Sequence, residues 1–128
     1  MKIYLAGRME GITEKESMGW RDKIIKLSPF NFKFFVPKIT EDAQGSFNAD
    51  RWLIDKADIV LVKIDKEASW GTAMEIMYAW IKGKLIICFT KEKIEFHGWL
   101  KHVSMVCLKV QYINDVVKFL IDLKKQIR

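Results

Sequence analysis

The chain has 128 residues, half of them apolar and 30% charged, with seven Gly and two Pro. That length suits one globular domain spanning residues 1–128 and is short for two, and the composition excludes a disordered or fibrous chain. No apolar run nears the ~20 residues of a membrane span, and a net charge of +6 favours anionic partners. The opening residues, MKIYLAGRMEG, carry too short an apolar run before Arg8 to read as a signal peptide, so a cytoplasmic place is expected.

Strand-like and helix-like segments alternate. Residues 2–6 (KIYLA), ended by Gly7, predict a first buried strand. From Thr13 to Leu27 a helix is expected, with Met18, Trp20, Ile24, Ile25 and Leu27 as its apolar residues. Thr13 and Glu16 fit a capping box, and Ser28-Pro29 stops this helix. The run 32–36 (FKFFV), ended by Pro37, predicts a second strand. A polar loop over 38–50 leads into a short helix over 49–56, followed by a β-branched third strand at 58–64 (DIVLVKI). Residues 72–83 read as a helix closed by Gly83, and 85–89 (LIICF) as a fourth strand. Residues 91–102 look irregular, 103–109 form a fifth strand, and 113–127 a terminal helix with Val116, Val117, Leu120, Ile121 and Leu123 on its apolar face.

Five strands alternating with helices imply an α/β fold: a flavodoxin-like (Rossmann-like) three-layer sandwich with a parallel sheet of order 2-1-3-4-5. In that order ligands bind outside the carboxyl ends of strands 1 and 3. The expected site is therefore built by residues 7–11, residues 65–71 and the amino end of the helix starting near Thr72.

Glu75 is the carboxylate that this topology places best. Two readings of it stand side by side. Thr72 and Glu75 fit a capping box, which is structural. A carboxylate held ionised by a helix N-terminus also suits a nucleophile or base. Asp50 reads as the cap of its short helix or as a site residue; Asp55 is helix-associated and Asp58, opening the third strand, reads as structural. Asp65 lies where a receiver domain accepts phosphate, but the first strand supplies no acidic pair for magnesium. Gly7 and Gly11 bracket Arg8-Met9-Glu10, a weak phosphate pattern. Gly71 opens backbone N–H groups to an anion or a hydroxyl-rich ligand, which Ser69 can hydrogen-bond unless it only ends a turn. Met74, Met77, Tyr78 and Trp80 are expected in the helix core.

The remaining chemistry-bearing residues point elsewhere. Lys and Arg are spread without a cluster of five, so nucleic acid is not the expected partner. Cys88 and Cys107 sit in apolar runs and read as buried, inert thiols. His97 and His102 have no acid or Cys at ligand spacing, so no zinc site is expected.

The segments 3-IYLAG-7, Asp50, 57-ADIVLV-62 and 71-GTAMEIMYAWIKGK-84 together resemble the nucleoside 2-deoxyribosyltransferases and the related deoxynucleoside 5′-monophosphate N-glycosidases. The resemblance spans roughly residues 2 to 90 and continues weakly to the last strand; the GTAxE segment is its specific part. It implies that Glu75 is a nucleophile attacking the anomeric carbon, that Tyr4 orients it, and that Asp50 helps bind and protonate the base. Gly7, Arg8, Ser69, Gly71 and Met74 then contact the substrate, and Ser104, with His102 beside it, matches a polar residue that a neighbouring subunit contributes. Where the transferases carry an Asp this chain has Ser69, as the monophosphate hydrolases do, yet Glu10 stands where those hydrolases carry an Arg. Arg8 is the candidate to compensate.

The activity implied is a retaining double displacement through a glycosyl-Glu75 ester, resolved by a second base in a transferase or by water in a hydrolase. No metal or organic cofactor is implied. The partners are a deoxynucleoside or deoxynucleotide, a free nucleobase, and further copies of the chain, because so short a chain has little room for a closed pocket. The reading from another class is a non-catalytic nucleotide-binding module in which Glu75 only caps a helix.

Overall fold

The computed structural model describes residues 1–37 and 42–127. Along the chain run β1 (Lys2–Ala6), α1 (Glu14–Leu27), β2 (Lys33–Phe35), α2 (Ala43–Lys56) and β3 (Ile59–Lys63). After these come α3 (Trp70–Ile81), β4 (Leu85–Thr90), α4 (Gly98–Val103), β5 (Val106–Lys109) and α5 (Ile113–Gln126). The strands pair in parallel in the order β2-β1-β3-β4-β5, as the alternation of elements predicts. Tyr4 of β1 lies level with Val60 of β3 and Ile86 of β4.

Alternation along the strands divides the core in two. Ile3, Leu5, Ile59, Leu61, Ile87 and Phe89 face one side and pack with Trp20 and Ile24 of α1 and Val116, Val117 and Leu120 of α5. Tyr4, Ala6, Val60, Val62, Ile86 and Cys88 face the other and pack with Leu53 and Ile54 of α2 and Ile76 and Ala79 of α3. Both faces of the sheet are covered, which is why its strands read as continuous apolar runs. The capping box at Thr13 and Glu16 is present, and Gly83 ends α3 with φ +73°, a backbone state that glycine adopts at no steric cost.

Several elements differ from expectation. α2 begins at Ala43, six residues earlier than the helix expected from 49, because Asp42 caps it by accepting a hydrogen bond from Gly45 N at 2.5 Å. The rest of the expected polar loop, residues 38–41, lies outside the described residues. Asp50 therefore lies well inside α2, whose N-terminal cap is Asp42. Residues 98–103, expected to be irregular, form α4 on a cap in which His97 Nδ1 accepts from Trp99 N. α3 starts at Trp70 with Ser69 as its cap, so Gly71 lies within the first turn instead of before it.

Two core expectations also change. Ile25 and Leu27 are each 40% exposed, and Arg21 takes a buried position on α1 in their place. On α3 the core positions are Thr72, Ile76 and Ala79, while Met74, Met77 and Trp80 face outward. The helix is apolar nearly all round, so periodicity does not identify its buried stripe. Cys88 is buried and its thiol is pushed up to about 12 by burial; Cys107 is partly buried, and both are free thiols. Among the described residues, no helix is long and apolar enough to cross a membrane.

Candidate active site

Glu75 stands one turn inside α3, on the face that meets β1 and α2. It does not close a capping box. The cap is Ser69, whose hydroxyl accepts from Thr72 N at 3.4 Å, and the buried Thr72 hydroxyl has no hydrogen-bond partner among the described residues. The Glu75 carboxylate instead accepts a hydrogen bond from the Tyr4 hydroxyl, donated by a residue 71 positions earlier in the chain. Tyr4 is completely buried in the middle of β1. A tyrosine whose ring is fixed in the sheet and whose only polar tip reaches a carboxylate sets that carboxylate's orientation.

The two acids share a cavity of about 650 Å³ between the β1–α1 loop, α2 and the start of α3. Glu75, Asp50, Gly7, Ser69, Gly71 and Met74 all line it. Six residues of the expectation thus meet, with Tyr4 directly behind them. α2 contributes a whole wall that the sequence did not suggest, including Phe47, Arg51 and Ile54. The Arg51 guanidinium lies 5.4 Å from the Phe47 ring centre and 5.3 Å from that of Tyr78, so the wall combines aromatic faces with a cation. Asp42 at the α2 cap, three residues before Gly45, was the available sequence signal for this wall.

Burial governs the electrostatics. It pushes Glu75 up to about 7, reinforced by the charge of Asp50 and opposed by the Tyr4 hydrogen bond and the charge of Arg21. The expected stabilisation by the helix N-terminus is outweighed, since Glu75 lies beyond the first turn, where the dipole acts most strongly. Tyr4 is driven far above its ordinary range by burial first, then by the Glu75 carboxylate that it faces. It therefore remains a hydrogen-bond donor throughout the working pH range. A carboxylate that titrates near neutrality, oriented by one donor and paired with a second acid in a cleft, is equipped for nucleophilic or acid–base chemistry.

Four candidates fall outside this cavity: Arg8, Asp65, Ser104 and His102. Arg8 points into an adjacent cavity of about 560 Å³, beyond Ser69 and Thr72. There its Nη1 pairs with Glu67 at 3.2 Å, while its Nε donates to the Glu10 carbonyl at 2.9 Å. Asp65 lines that second cavity and is paired with Lys63. Ser104 touches neither cavity within its own chain; its Oγ lies 3.2 Å from Cys88 Sγ. His102 is exposed. Asp58 is structural, accepting from Lys2 N at 2.9 Å, and Asp55 accepts from the Tyr78 hydroxyl at 2.6 Å.

Known proteins share this arrangement of strands and helices. A 2-deoxyribosyltransferase from the psychrotolerant bacterium Bacillus psychrosaccharolyticus superposes with a TM-score of 0.74 at 21% identity, over 91% of this chain and 90% of that one. The CMP N-glycosidase BcmB of Clostridium botulinum gives 0.73 at 18% identity, over 97% and 99% of the two chains. A 2-deoxyribosyltransferase from Leishmania mexicana gives 0.60 at 22% identity, over 71% of this chain and 65% of that one. No curated protein sequence matches significantly. At these identities the superpositions establish the fold; the sequence itself goes further, because residues 3–111 match the family model described as nucleoside 2-deoxyribosyltransferase. The chain belongs to the nucleoside 2-deoxyribosyltransferase family.

Proposed function

We propose that the chain is an enzyme that cleaves the N-glycosidic bond of a 2′-deoxynucleoside, or of its 5′-monophosphate, and passes the deoxyribosyl group to another base. The observation that carries this reading is the Glu75 carboxylate, raised to about 7, held by the Tyr4 hydroxyl beside Asp50 in one cavity. One Glu75 oxygen attacks the anomeric carbon as the bond to the base breaks, and Asp50 or solvent supplies the proton that the departing base takes. A second base then attacks the same carbon, releases Glu75 as a carboxylate and restores the original configuration. Gly7, Ser69, Gly71 and Met74 form the substrate-contacting surface in this scheme.

A hydrolytic variant, with water as acceptor and a nucleoside 5′-monophosphate as substrate, is favoured by Ser69. Its hydroxyl accepts from Thr72 N and keeps its own proton to donate into the cavity; one structural neighbour named above is a CMP N-glycosidase. Against it, Glu10 brings a carboxylate to the cavity, and Arg8 is engaged next door with Glu67 and the Glu10 carbonyl. A dianionic phosphate would meet negative charge without a facing cation from the β1–α1 loop. Transfer between bases is therefore the primary reading.

Chromatography separates the two. Incubation with deoxynucleosides and an added free base is expected to give the exchanged nucleoside. Free base plus deoxyribose 5-phosphate from a monophosphate would instead establish the hydrolase, and no cleavage of either substrate would overturn the enzymatic reading.

The active form is proposed to be a homo-oligomer in which a neighbouring chain completes the site, with Ser104 as the candidate contribution. Trp70, Met74 and Ile81 of α3 and Phe47 and Trp52 of α2 are 86%, 60%, 68%, 53% and 59% exposed. Apolar surface on that scale, bordering the cavity, is what association covers. Sedimentation analysis is expected to give a dimer or larger; a 15.0 kDa monomer at assay concentration would refute this. Two free thiols suit a reducing compartment, and we place the enzyme in the cytoplasm.

A further inference from the structure

Arg21 of α1 has no assigned role, yet it is a completely buried side chain. Among the described residues no carboxylate lies within ion-pair distance of it. Its guanidinium is held by backbone carbonyls instead: Nε donates to Leu5 O at 3.1 Å, Nη2 to Gly7 O at 3.0 Å, and Nη1 to Ser17 O. The same group lies 4.6 Å from the Trp20 ring centre. The packing leaves no slack, for a Cβ on Gly7 would stand 2.8 Å from a Trp20 ring carbon and 3.3 Å from Arg21 Nη2.

Buried cations without a counter-charge are costly, and neutral carbonyls offset the loss of water only in part. The compensating negative charge lies across the sheet. α1 packs against the face of β1 that carries Leu5, while Tyr4 and Glu75 occupy the opposite face. Burial lowers Arg21 from its ordinary range, while Tyr4, Glu75, Asp65 and Asp50 act in the other direction. In return, Arg21 favours the ionised form of Glu75. The other groups around Glu75 do not replace it. Tyr4 from β1 and Tyr78 one turn along α3 are neutral. Asp50 and Asp42 from α2 and Glu10 from the β1–α1 loop are acids. Arg51 is exposed and stacked on two rings.

We propose that Arg21 is a positioning residue for Glu75: a sealed cation that fixes the carboxyl end of β1, whose Tyr4 holds the carboxylate, and the turn at Gly7 that lines the cavity, and that supplies a positive charge behind them. The proposal rests on the reading of Glu75 as nucleophile. It explains why a charged residue occupies a core position on α1 between Trp20 and Ile24, where an apolar side chain would pack at lower cost.

The test measures Glu75 directly. Titration of the Glu75 side-chain carboxyl by carbon NMR, with the resonance assigned from E75Q, needs no substrate. R21Q retains a donor for the carbonyls but not the charge, and is expected to move the midpoint upward by about half a unit or more. R21K keeps the charge and loses the fork; the midpoint is expected to stay, while kcat on the deoxynucleoside falls about tenfold or more at little-changed KM. A folded R21Q with an unmoved midpoint overturns the proposal. If R21Q does not fold, R21K decides, and wild-type kcat in that variant overturns it. Failure to cleave any deoxynucleoside would sink the enzymatic reading while leaving the titration result to stand on its own.

Discussion

E75Q is expected to lower glycosidic cleavage by about a thousandfold or more and, at pH 8, to make the protein more stable than the wild type. The first effect follows from loss of the attacking oxygen, since the amide cannot form the glycosyl ester. The second follows from burial. Glu75 titrates near 7 in the folded protein, above its ordinary value of 4.5. Between those two values the folded state holds a proton that the unfolded chain has released. Stability present below pH 4.5 is therefore lost as the pH rises through 7, and above 7 the folded state carries the full cost of the buried charge. An isosteric neutral amide avoids that cost, which is about 3 kcal/mol, or about 10 °C in the midpoint of thermal unfolding for a domain of this size. The gain should be present at pH 8 and nearly absent at pH 4. Equal midpoints at both pH values would refute the buried-carboxylate account, and cleavage within about tenfold of the wild type would refute the nucleophile.

Y4F is expected to act on the same group in the opposite sense. The Tyr4 hydroxyl is the donor that restrains the upward shift of Glu75. Without it burial and Asp50 act unopposed by that bond, and the ionised fraction at neutral pH falls. In the wild type, kcat/KM should decline below pH 7 by about tenfold per unit, since only the carboxylate attacks. In Y4F this acid limb moves upward, so the loss is about ten- to a hundredfold at pH 7 and smaller at pH 9, where both proteins are ionised. The remaining deficit at high pH reports lost orientation. An acid limb at pH 4–5 in both proteins would show that Glu75 is not the titrating group.

The sheet order and the covering of both its faces were legible because each strand is a short apolar run closed by Gly, Pro or a charged residue, and because parallel strands separated by helices admit few topologies. The pairing of Glu75 with Tyr4 was legible only through family resemblance, since no local pattern connects β1 to α3. What escaped was decided by single caps and single buried charges. Asp42 starts α2 six residues earlier than expected, against a local composition of Gly, Ser and Asn that reads as loop. Ser69 rather than Thr72 caps α3, and this one-turn difference separates a glutamate that caps its helix from one that faces Tyr4 in the cavity. Arg21 lay in plain view on the stripe formed by Ser17, Trp20 and Ile24, but patterns of hydrophobicity treat a charge there as an interruption.

Among the described residues, the cavity holding Glu75 takes its lining from residues 7 to 78 alone. Everything after α3 serves that cavity within the chain only at a distance, and α5 lies beyond the segment matched by the family model. What α5 contributes is a lid of apolar volume, Ile113, Val116, Val117, Leu120 and Leu123, over the core that also seats α1. Such a lid is specified by shape and not by chemistry, so volume-conserving exchanges there are tolerated. α5 is thus free to diverge under selection for fit alone, whereas the segment that lines the cavity must keep particular atoms in particular places. The chain thus divides into a segment that builds the candidate site and a closing helix that keeps its shape.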